Sequence, residues 1–123
     1  MQNIFIFRFI LFITLSIVLF NVALAQDEIV IKKIFKVRSL SGSIENTNGD
    51  ALENAVIEQL SRNWGKTIES TMTNSGGFFT LPERSERVYC LRVKKQGFET
   101  LLIRVAVNKR AKKTLVIRLP FSN

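Results

Sequence analysis

The chain has 123 residues, 18 Lys and Arg against 10 Asp and Glu, a formal net charge of +8, one cysteine and no histidine. Without imidazole, a Ser-His-Asp or Cys-His system has no proton shuttle near neutral pH, and zinc sites built from His with Glu or Cys lack their ligands. A single cysteine excludes an intrachain disulfide, so burial must hold the fold.

The first segment reads as a targeting sequence. Arg8 is followed by an uncharged apolar run from Phe9 to Phe20, and Ala23-Leu24-Ala25 forms a small-x-small cleavage pattern. This is the layout of a signal peptide over residues 1–25, removed after Ala25. The alternative is an uncleaved anchor, but Arg8 and Asn21 shorten its apolar core. The expected product is a secreted or periplasmic chain, not an integral membrane protein, with a net charge of +7 once Arg8 is lost. Its length suits one domain with one core.

Residues 26–34 form either an N-terminal extension or a first edge strand, and residues 35–123 make the domain. "GDALENAVIEQLSRNW" is locally ambiguous. Asp50 and Glu53 have capping-box spacing, and Leu52, Val56 and Leu60 recur with a helical period over Ala51 to Asn63. The same stretch also alternates as a strand, with Ala55 and Ile57 on one face and Val56 and Glu58 on the other.

"TMTNSGGFFTL" follows. A phosphate loop needs its glycines to lead into a helix, usually with Lys-Ser/Thr behind, and a calcium loop needs several carboxylates. Here the glycines lead into Phe78, Phe79, Thr80 and Leu81, and Asn74 stands where a carboxylate would be useful. The stretch is predicted to reverse the chain between two strands, with Phe79 and Leu81 inward and Phe78 outward.

The remaining segments alternate clearly. Tyr89, Leu91 and Val93 oppose Cys90, Arg92 and Lys94. Leu101, Ile103, Val105 and Val107 oppose Thr100, Leu102, Arg104 and Ala106. Leu115, Ile117 and Leu119 oppose Thr114, Val116 and Arg118. Short half-buried strands at this spacing predict an all-β sandwich or barrel.

The order of these motifs resembles the carboxypeptidase regulatory-like domain. Gly42, Ile44, Gly49, Leu52, Ala55 and Ile57 fall on its opening pattern. Thr73, Asn74, Gly77 and Phe79 fall on its middle motif, and Tyr89, Leu91, Val93, Gly97 and Phe98 on its closing one. The resemblance covers about Phe35 to Leu119. It implies a small seven-stranded Greek-key β-sandwich of the prealbumin (transthyretin-like) type, with an accessory role and no catalysis. Ala51 replaces the usual Pro, Asn54 the usual Gly and Asn74 the usual Asp. Because the family pattern makes the ambiguous segment a strand, a strand is expected there.

The residues support no enzyme, cofactor, metal or small-molecule substrate. Glu83 and Glu86 could in principle pair for acid/base work, but beside Pro82 and Arg84 they read as a solvated turn. Cys90 has Arg92 nearby but no base to activate it, which leaves a buried thiol or an intermolecular bridge. Positive charge is the strongest remaining signal. Lys109, Arg110, Lys112 and Lys113 sit in the turn before the last strand, and Arg92, Lys94, Arg104 and Arg118 share outward parity. If their strands are neighbours, they form a basic stripe able to attract nucleic acid, acidic glycan or lipid headgroups. The plainer reading is a solvated face whose edges Lys and Arg protect. Trp64, Phe78 and Phe121 are the candidate exposed aromatics, too scattered for a stacking platform. The expected function is an interaction module for a protein or cell-surface glycan, with Phe78 as its first apolar contact. The alternative is a basic binder of an anionic polymer.

Overall fold

The computed structural model describes residues 28–123, so the expected signal peptide lies outside the described residues. The described chain is all β, with no helix and eight strands. These are β1 (Glu28–Val37), β2 (Ser41–Asn46), β3 (Val56–Leu60) and β4 (Thr67–Met72), then β5 (Phe78–Thr80), β6 (Val88–Lys94), β7 (Thr100–Val107) and β8 (Leu115–Leu119). They form a five-stranded sheet, β1-β7-β6-β3-β4, and a three-stranded sheet, β5-β2-β8. The family resemblance implied seven strands. The stretch left open over residues 26–34 contributes from Glu28 onward to β1, a ten-residue strand lying parallel to β7 at the sheet edge.

Both sheets turn their apolar parity onto one core. Ile57, Leu91, Val93, Leu101, Ile103 and Val105 come from the larger sheet, and Ile44, Phe79, Leu115, Ile117 and Leu119 from the smaller. The parity read as inward in β6, β7 and β8 faces this core, while Cys90, Thr100 and Leu102 on the outward parity are buried as well. Burying side chains of this size contributes about 1.5–3 kcal/mol each, and it stands in for the missing disulfide.

The ambiguous segment is a strand from Val56 onward. Its helical reading fails at Asn54, whose φ of 60° no right-handed helix can contain. Asn is among the few non-glycine residues that tolerate this region, so it serves where the family pattern has Gly. Thr73 fastens the turn. Its hydroxyl accepts the Ala55 N–H at 2.9 Å and donates to the Leu52 carbonyl at 2.6 Å, while its backbone bonds Asn54 and Ala55. Asp50 caps no helix; its N–H is held by the Asn46 side chain in a turn.

"TNSGG" also turns the chain, though not within one sheet. It carries the chain from β4 in the larger sheet to β5 in the smaller, because β5 pairs only with β2. Asn74 Oδ1 accepts the Gly76 and Phe78 N–H groups, and Gly77 adopts φ 78°. A Cβ on Gly77 would lie 2.7 Å from the Ile44 carbonyl oxygen. Only the second glycine of the pair is therefore required by the backbone.

Candidate functional site

The outward cations do not form one stripe. Arg92 and Lys94 lie on β6, and Arg104 lies on the neighbouring β7. Arg118 belongs to β8 in the other sheet, where it bonds Glu45 at 2.6 Å. The condition for a stripe is not met, because β7 and β8, adjacent in sequence, lie in different sheets. Glu58 of β3 is directly opposite Arg92 and takes up most of the remaining charge. It accepts from Arg92 Nε at 3.2 Å and Nη2 at 3.0 Å, from Thr67 Oγ1 at 3.0 Å, and pairs with Lys94 Nζ at 2.8 Å. Burial alone would raise the Glu58 carboxyl. The bonds from Arg92, Lys94 and Thr67 outweigh it and hold the group at about 2. The sequence placed Glu58 on the correct face, but nothing local announced its register with Arg92.

Arg104 is exposed, as its parity predicted, and its guanidinium carbon also lies 5.7 Å from the Trp64 ring centroid. Trp64 is half-buried and packs on Leu60, Cys90 and Leu102 over the outer face of the larger sheet. It is thus a cover, not the exposed aromatic expected from sequence. The loop that lowers it is tied by Ser61 and Asn63 hydrogen bonds, with Trp64 at φ 64°. Cys90 beneath it is 6% exposed. Burial pushes the Cys90 thiol up, only partly offset by Arg104 and Arg62. A bridge to a second chain requires this cover to lift. An aromatic disulfide reagent is expected to modify Cys90 at least about tenfold more slowly in the folded protein than in urea. Trp64→Ala should narrow that gap. Equal rates with and without urea would show that the thiol is already open.

Glu83 and Glu86 serve different partners. Glu83 accepts the Leu40 N–H at 3.3 Å, and Glu86 faces Arg62 at 3.8 Å. No group of three metal-ligating side chains occurs among the described residues. Phe121 stacks on Phe98, with ring centroids 4.9 Å apart. Phe78, at 61% exposure, is outward as predicted and stands opposite Ser43 on β2. On the other side of Ser43 stands Val116 of β8, 51% exposed.

The turn carrying Lys109, Arg110, Lys112 and Lys113 forms as expected, with the Arg110 N–H bonded to Asn108 Oδ1. Its location was not legible in the sequence. The turn crosses from β7 to β8 over the end of β1, where the Asn108 N–H donates to the Val37 carbonyl at 2.8 Å. The Arg38 N–H donates to the Lys113 carbonyl at 3.2 Å. Beyond that pin, β1 and β8 leave a seam of about 640 Å³ on the side of the molecule. Its floor is apolar, from Phe35, Val37, Ala111 and Leu115, and Lys33, Lys36 and Lys113 flank it. Among the described residues, no carboxylate forms an ion pair with these lysines or with Lys109, Arg110 and Lys112. Sequence reading missed Lys33, Lys36 and the apolar floor, since the seam exists only once the sheets are assembled.

These features define a small all-β domain of two sheets around one core, with a seam between β1 and β8 flanked by Lys33, Lys36 and Lys113. The carboxypeptidase regulatory-like domain family matches residues 39–120, and the chain belongs to that family. No curated protein matches it significantly.

Proposed function

We propose that this chain is an exported, non-catalytic interaction module that binds a protein or cell-surface glycan through its loops and sheet edges. The finer fold assignment, a Greek-key sandwich of the prealbumin type, and delivery by residues 1–25 to the periplasm or exterior belong to the same proposal. The observation that carries the reading is the unsealed side between β1 and β8. Ile34 and Val116 are exposed and Phe35 half-buried there, beside lysines that no carboxylate of the described chain neutralises. An open apolar surface rimmed by charge is what a contact site presents before its partner arrives. The lack of histidine and the burial that holds the Cys90 thiol protonated speak for binding over catalysis.

A photo-crosslinking residue placed at Val116 in the native host tests this. Adducts of discrete mass are expected from Val116 and not from the exposed turn residue Asn48. Absence of adducts from Val116, Phe78 and Lys109 alike would overturn the reading.

A second reading, a binder of anionic polymer, is favoured by the unpaired turn Lys109 to Lys113. It is weakened because Glu58 and Glu45 occupy Arg92, Lys94 and Arg118. Retention on heparin that falls steeply with salt, and falls further when the four turn cations are neutralised, would favour it. No retention at low salt would exclude it.

A further inference from the structure

We propose that the free edge of β8 takes an extended, acidic segment of a partner polypeptide as an added strand, seated in the seam against β1. This rests on the interaction-module reading and specifies the partner's chemistry and its mode of binding.

The two sheets present four edge strands: β1, β4, β5 and β8. Natural sheets blunt such edges with bulges, lysines or brevity, because an exposed row of backbone donors and acceptors captures other strands. Three of these edges are blunted. β1 slips in register between Val30 and Ile34 and carries Lys32, Lys33 and Lys36. β4 slips against β3 between Gln59 and Leu60, and β5 is only three residues long. By contrast, β8 keeps unbroken register with β2 from Gly42↔Leu115 to Asn46↔Leu119. It contains no proline, and its single charge, Arg118, is held by Glu45. At Leu115 and Val116 it faces the seam, so a strand added there would also cover the half-buried Phe35 and the exposed Ile34.

Charge selects the occupant. Lys33, Lys36 and Lys113 flank the seam unpaired, with the Lys109 to Lys112 turn at its closed end. A second copy of this chain would bring the same lysines together and be repelled. A sulfated glycan or nucleic acid would satisfy the lysines, yet has neither a peptide backbone for the β8 edge nor side chains for the apolar floor. An extended peptide with acidic residues alternating with apolar ones supplies all three, since alternate side chains of a strand point to opposite faces.

The probe is a labelled short peptide alternating glutamate and valine, followed by fluorescence anisotropy on the folded chain. It should bind, weaken as salt rises, and lose at least about tenfold in affinity when lysine replaces glutamate or when Lys33→Glu and Lys113→Glu are combined. Peptides N-methylated along one backbone edge or the other provide the direct test of strand addition. One of the two should lose at least about tenfold, because only one edge faces β8. If both bind like the parent, strand addition is overturned and surface docking remains. If the peptide fails to bind while Val116 still yields cellular adducts, this inference falls and the module reading stands. Sedimentation showing a dimer that Val116→Lys dissolves would make a second copy the occupant and overturn the acidic partner.

Discussion

Thr73→Val is expected to lower stability by about 3 kcal/mol, one of the two largest effects the structure predicts. Valine matches threonine in shape but replaces the hydroxyl with a methyl group. The Ala55 N–H and the Leu52 carbonyl then lose the partner that holds them at 2.9 and 2.6 Å. Ala55 is fully buried, so water cannot replace that bond. Leaving a buried donor or acceptor unsatisfied costs about 1–3 kcal/mol each. Thr73→Ser keeps the hydroxyl and gives up only a methyl, at a cost of about 1 kcal/mol. Urea denaturation of the three proteins checks this. Equal midpoints for the valine and serine variants would show that the hydroxyl does not hold the turn. The stakes are structural as well as energetic, because this turn starts β3, and β3 presents Glu58 to β6.

The second large effect is acid sensitivity centred on Glu58. Its carboxyl ordinarily titrates at 4.5 and is held at about 2 in the folded chain. A group depressed on folding stabilises the native state above its unfolded value and loses that contribution as protons bind the folded form. Stability from Glu58 should therefore be complete above about pH 5 and fade between 4.5 and about 2. The gap corresponds to about 3 kcal/mol. Glu58→Gln should be less stable than the parent at neutral pH, by a margin that closes through this window. Urea midpoints measured across pH read the margin directly. A difference that stays constant from neutral to acid pH would assign the loss to packing and not to the charge. The variant also frees Arg92 and Lys94, so heparin retention should rise if outward cations govern polymer binding.

Much of the fold was legible because strand parity is local. The alternation in β6, β7 and β8 needs no knowledge of partners, and Phe79, Leu81 and Tyr89 are buried where that alternation put them. Thr73 stood out through a motif, though its role as acceptor and donor appears only with the turn at Leu52–Ala55 in place. The candidate site was less legible. The outward side chain of Phe78 and the turn at Lys109 to Lys113 were read from sequence, whereas Lys33, Lys36 and Val116 were not singled out. A lysine on an edge strand looks the same in sequence whether it faces bulk solvent or an open seam.

The sequence by itself determined an all-β chain, its inward and outward faces, its excess of positive charge, and the lack of imidazole chemistry. Those follow from composition and from the two-residue period of a strand. Only the tertiary structure decided which charges meet. Cross-strand register puts Glu58 against Arg92 across a gap of 34 positions and sends Arg118 to the other sheet. It also folds Trp64 over Cys90 and leaves the β1–β8 side open. Charge pairing and edge exposure depend on distances between strands, which are set when the two sheets close on their shared core.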